Sequence, residues 1–156
     1  MTNSSPPQRP SLYEKTQGPE AVPIEALIQS GDTAAQRASA GYLDFFRERL
    51  ASVAGLAKAL FAQPSEDGWK SLYMAMHDLR SSSASAGYQT VSAICESLER
   101  LLAERDRENP LMRDVVTLHL DALSLASSDN APIPDSEEAT GLIESLGRAV
   151  DKLPRI

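Results

Sequence analysis

The chain has 156 residues, 42% of them hydrophobic, 24% charged and only 5% aromatic, the balance of a soluble, helix-rich globular protein. A net charge of −7 excludes nucleic acid as the main partner, because phosphate backbones are held by clustered cations. The single cysteine, Cys95, excludes an internal disulfide and fits a reducing cytoplasm, while no apolar run nears the roughly 20 residues that span a bilayer.

The N-terminus carries no basic region followed by an apolar one, so neither a secretory signal nor a membrane partner is expected. Most of the excess acid lies outside residues 34–128. Residues 1–31 read as a disordered Pro/Ser-rich tail: Pro6, Pro7, Pro10, Pro19 and Pro23 fall among Ser, Gln and Thr, and such a segment buries too little apolar surface to offset its ordering entropy. Within it, Ile24 to Ile28 have the pattern of one helical turn.

The first long helix is expected to start at Asp32 or Thr33, either of which can cap it. Tyr42, Phe45, Phe46, Leu50, Val53, Leu56, Ala57 and Leu60 recur at spacings of three and four, the signature of a helix face turned into a core. Pro64 stops that helix and Ser65 caps the next, over about 66–86, with Glu66 and Asp67 in the first turn where the macrodipole favours anions.

In this second helix Leu72, Met76, Leu79, Ser83 and Ala86 form the buried stripe. At 100° per residue His77 lies well over a quarter turn from the stripe's centre and is expected to face solvent. Lys70, Tyr73, Met74, Arg80, Ser81 and Ala84 share its face. An exposed imidazole on a rigid helix, among small side chains and two cations, suits the transfer of an anionic group. Gly87 is the expected left-handed stop.

A third helix over about 88–107 turns Val91, Ile94, Cys95, Leu98, Leu101 and Leu102 inward. Asn109-Pro110 then opens a fourth, over about 110–127, with Leu111, Val115, Leu118, Ala122 and Leu125 as its core face. After a connector, Asp135 and Glu138 make a capping-box-like start to a last helix near 136–152. No strand pattern occurs. The expected fold is all-α, an antiparallel up-and-down four-helix bundle over 32–128, followed by a connector and C-terminal helix over 129–156. That last helix is expected either to pack across the bundle or to hold a partner.

Several chemistries are unsupported. Two histidines and one cysteine are not at metal-ligand spacing, so no metal is expected. Gly-rich phosphate loops between strand and helix are absent. Asp78 points about 100° away from His77 and cannot orient it as a triad acid would. His119, between Leu118 and Leu120, reads as a surface histidine without a role.

His77-x-Leu79-Arg80-Ser81, with Gly87, followed by Val91-x-x-Ile94-Cys95-x-x-Leu98-Glu99, resembles the histidine-containing phosphotransfer (HPt) domain over roughly residues 34–127. That family's motif has leucine two residues after the histidine, a basic residue three on, a small residue four on, usually glycine, and glycine ten on. Arg80 stands where lysine is commoner, and Ser81 replaces the glycine that gives a docking partner close access. The resemblance implies a phosphoryl carrier in a two-component phosphorelay, without kinase or ATP-binding machinery of its own. His77 would be the phosphoacceptor, Arg80 and Lys70 would offset the phosphate charge, and Tyr73, Met74, Ser81 and Ala84 would form the docking surface. Its partners would be response-regulator receiver domains, which supply the Mg²⁺, and a hybrid histidine kinase; the carrier needs no cofactor of its own and works as a cytoplasmic monomer.

His77-Asp78-Leu79-Arg80-Ser81 is also similar to the histidine box of sensor-kinase dimerisation domains, where an acid follows the histidine. That box has proline five residues on, where Ser82 stands here, and its helix continues where Gly87 stops this one. A degenerate dimeric phosphotransferase on that scaffold, and a helical adaptor that carries no phosphate, are the two alternatives.

Overall fold

A computed structural model describes residues 23–128, 131 and 136–156. By their contacts the described residues fall into two compact units, divided between Ala38 and Ser39. Of the tail expected over 1–31, residues 1–22 lie outside the described residues, as does most of the connector after residue 128; residues 24–31 are helical instead of tail. Five helices are described: α1 (Ile24–Ala62), α2 (Glu66–Ser85), α3 (Gln89–Glu104), α4 (Met112–Ala126) and α5 (Glu137–Asp151). Strands are absent among the described residues, apart from an isolated antiparallel bridge between Arg105 and Arg155. No helix among them is long and apolar enough to cross a membrane.

α1 starts at Ile24, before the expected caps Asp32 and Thr33, which lie inside it. Pro23 sits immediately ahead, its carbonyl accepting from the Ala26 N–H at 3.0 Å, and no further proline interrupts the chain before Pro64. In the second unit α1 buries Phe46, Leu50, Val53, Ala57 and Leu60, spaced four, three, four and three. Phe45 and Leu56, expected in the core, are exposed. They lie about 80–100° around the helix from the centre of that stripe, too far to reach the interior.

α2 begins where expected. Ser65 accepts from the Gly68 N–H at 3.1 Å. Glycine at 68 allows the close approach of α1, since a Cβ there would lie 2.8 Å from Leu60 Cδ1. At the other end Gly87 has φ 86°, its N–H donates to Ala84 O at 3.1 Å, and the Tyr88 N–H donates to Ser83 O at 2.9 Å. This Schellman closure turns the chain straight into α3.

α3 buries every residue expected of it but ends at Glu104, short of 107, because Arg105 is extended (φ −110°, ψ 150°) and pairs with the C-terminal segment. α4 is rotated from expectation. Leu111, Leu118 and Leu125 are exposed, and Met112, Val115, Val116, His119, Ala122, Leu123 and Ala126 face the core. The segment carries two apolar stripes one residue apart, and the buried one includes a histidine, whose polarity argued against it. His119 is fully buried, contrary to its reading as a surface residue, and the core satisfies both ring nitrogens.

α5 packs on α3 and α4 and buries Ala139, Leu146 and Val150. Its cap is Ser136, which accepts from the Ala139 N–H at 3.1 Å, in place of the expected Asp135, which lies outside the described residues. Beyond it the buried Arg105 donates to Leu153 O at 3.1 Å and to Asp151 Oδ1 at 2.6 Å, tying the end of α5 to the end of α3. The core is one cluster of side chains from α1 to α5, with Phe46, Leu72, Met76, Ile94, Leu98, Leu101, Leu123 and Leu146 among its fully buried members.

Candidate functional site

The buried stripe of α2 fixes what its other face presents. Met76 and Leu79 are anchored in the core, so His77 between them emerges at the helix flank with 45% of its side chain exposed. The Tyr73 ring, one turn earlier, stacks on the imidazole with centroids 6.4 Å apart and planes 17° from parallel.

The other support comes from α3. Glu99, with only 8% of its side chain exposed, places Oε1 3.0 Å from His77 Nδ1 and Oε2 3.0 Å from an Arg80 guanidinium nitrogen. A carboxylate only accepts, so Nδ1 carries the proton and donates it, and the lone pair of the ring falls on Nε2. Both oxygens of a nearly buried carboxylate are thereby satisfied, which lets a charge sit between two packed helices.

The remaining predicted residues are spread around this centre. Arg80 is held by Glu99 at 3.0 Å. Ser81 is exposed and its Oγ–H donates to the His77 carbonyl at 3.0 Å. Met74 and Ala84 are exposed on either side, and Tyr73 is half-buried. Lys70 is exposed two turns before His77 and makes no salt bridge among the described residues. His77, Tyr73 and Arg80 are therefore drawn into one cluster and Lys70 is not. Glu99 was not among the expected site residues. It sits at the edge of the apolar stripe of α3, and only the packing of α2 against α3 buries it.

Two other reactive groups are silenced by burial. Desolvation, and after it the nearby Glu99 charge, push the Cys95 thiol up to about 12, so no thiolate nucleophile forms. His119 donates from Nδ1 to Val115 O at 2.7 Å and accepts at Nε2 from Ser97 Oγ at 2.9 Å. Desolvation holds its pKa below the ordinary histidine value, against the opposing effect of the Val115 bond, and the Arg100 cation lowers it too. Among the described residues no group of three or more His, Cys, Asp or Glu side chains could hold a metal ion.

No curated protein and no solved structure gives a match to the chain. A family model does. The model described as Hpt domain matches residues 40–129, more than half of the sequence, and the match contains His77, Arg80 and Glu99. On that match, with an all-helical bundle presenting a half-exposed histidine, the chain belongs to the Hpt domain family.

Proposed function

We propose that this protein relays a phosphoryl group between receiver-domain aspartates and its own His77 in a two-component phosphorelay. The observation that carries the reading is the hydrogen bond from His77 Nδ1 to Glu99, which leaves the lone pair on Nε2 of a half-exposed ring. That lone pair attacks the phosphorus of a receiver's acyl phosphate. The N–P bond forms as the P–O bond to the aspartyl carbonyl breaks, and the aspartate departs as a carboxylate. The proton on Nδ1 stays in place and the ring becomes cationic, a charge that the Glu99 carboxylate at 3.0 Å balances. Return of the group to a receiver reverses these steps.

A bound receiver would bring the Mg²⁺ and, with it, most of the charge stabilisation for the transferred group. This chain's residues orient the imidazole and receive the partner. Arg80, paired with Glu99, keeps one cation beside the ring, Lys70 sets a second two turns earlier on the same helix, and Tyr73, Met74, Ser81 and Ala84 form the docking face. The carrier works in the cytoplasm as a monomer, with no cofactor and no kinase machinery of its own; a core filled by α1 to α5 of one chain supports this reading. Sedimentation should give one chain of 16.8 kDa.

Incubation with a phosphorylated receiver domain, followed by mapping of acid-labile, base-stable phosphate, tests the reading. His77→Gln should abolish the label while helical circular dichroism is unchanged. A label that persists in His77→Gln and disappears in His119→Gln would overturn the assignment. No label from receivers or from phosphoramidate would leave a helical adaptor.

A further inference from the structure

α5 lies beyond the residues matched by the family model, yet it borders the candidate site. A cleft of about 550 Å³ runs between α2, α3 and α5. One wall is Tyr73, which stacks on His77, Glu99, which holds its ring, and Arg80, which pairs with Glu99; the facing wall is Ile143 and Gly147 of α5. A second cavity of about 260 Å³ continues the cleft past Ala93 and Ile143. Small residues keep it open, and a Cβ added at Gly147 would already lie 3.7 Å from an Arg100 nitrogen. The far wall is held in place, since Arg105 clamps Asp151 and Leu153 to the end of α3.

The charge on the lip is unbalanced. Arg80 and Glu99 neutralise one another. Glu96 and Glu104 are exposed and form no salt bridge among the described residues, and Arg100 between them is the one cation of that lip. Whatever is held over Nε2 of His77 also covers Tyr73 and Arg80, and therefore overhangs this cleft.

We propose that the receiver-docking surface extends from the His77 face across the cleft onto α5, and that the lip, net acidic with Glu96 and Glu104 against Arg100, pairs one of its carboxylates with a projecting basic side chain of the receiver. This rests on the phosphotransfer reading above. It makes α5 a selector among receivers: a partner with an acidic or bulky loop at that place is repelled, and one with a lysine or arginine is drawn in.

The probe is a purified receiver domain, phosphorylated with acetyl phosphate, that transfers its phosphoryl group to the wild-type protein. Gly147→Trp fills the cleft, Glu96→Lys with Glu104→Lys reverses its lip, and Gly147→Ala serves as control. For the first two, KM for the phosphorylated receiver should rise about tenfold or more while kcat and labelling by phosphoramidate stay within about twofold. The lip substitutions touch only exposed side chains, so they keep the test valid if Gly147→Trp fails to fold. A KM within about twofold of wild type for the lip variant overturns the proposal. Calorimetric titration with the unphosphorylated receiver separates this surface from the chemistry. Were His77 shown not to carry phosphate, a tenfold loss of affinity in the lip variant would still support the surface, and unchanged affinity would still overturn it.

Discussion

The Glu99 carboxylate joins Arg80 to His77: one oxygen lies 3.0 Å from the guanidinium and the other 3.0 Å from Nδ1. The basic residue one turn beyond the histidine therefore acts on the ring through an acid from the neighbouring helix. Charge-assisted hydrogen bonds of this kind contribute about 1.5–3 kcal/mol, enough to decide which ring nitrogen carries the proton.

Glu99→Leu should release the Nδ1 proton's partner and slow labelling of His77 by about 10- to 100-fold, with Glu99→Gln retaining part of the rate through its amide oxygen. Nitrogen-15 shifts of His77 should show the Nδ1–H form dominant in the wild type and diminished in Glu99→Leu. Arg80→Ala should lose part of the rate alone and add little on top of Glu99→Leu. Fully additive losses would mean that Arg80 acts on the phosphate independently of Glu99.

The buried His119 sets a pH dependence of stability. Its folded pKa lies below the ordinary value of about 6.5 that it regains on unfolding, so below that pH the unfolded chain binds the proton more readily. The stabilisation is complete above pH ~6.5 and is lost as pH falls toward the folded pKa, at up to about 1.4 kcal/mol per unit. Urea unfolding at pH 7.5, 6.5 and 5.5 should show this slope in the wild type and a flatter one in His119→Gln. The variant should be less stable at pH 7.5, by about 1–3 kcal/mol, because Ser97 and Val115 lose well-placed partners. Equal slopes for the two proteins would remove His119 as the source.

Ser81 tests the docking face. Its side chain is exposed and bonded only to the His77 carbonyl. Ser81→Gly should cost about 0.5 kcal/mol of helix stability and leave transfer equal or faster. Ser81→Trp should block transfer from a receiver and leave labelling by phosphoramidate intact. Undiminished receiver transfer in the Trp variant would place the docking face elsewhere.

Periodicity and turn chemistry in the sequence determined the helical class, the buried stripe of α2 from Leu72 to Ser83 (Ala86, expected to extend it, is the half-buried C-cap), the outward position of His77 and the stop at Gly87. Each depends on residues within a turn or two of one another, so local spacing suffices. The core of α3 was legible for the same reason. The face of α4 was not: with apolar stripes one residue apart, local spacing cannot choose between Leu118 and His119 for the interior. Only Ser97, brought across from α3 to within 2.9 Å of the ring, makes the histidine the better core residue. The start of α1 escaped because Ser30-Gly31-Asp32 has the local chemistry of a helix start, yet the helix begun at Ile24 runs through it, Gly31 costing only about 1 kcal/mol relative to alanine. Glu99 escaped for a stronger reason. Its burial and its two partners exist only where α2 and α3 face each other across the Gly87 turn, and a carboxylate at the margin of one helix's stripe gives no sign of which side chains the next helix will set against it.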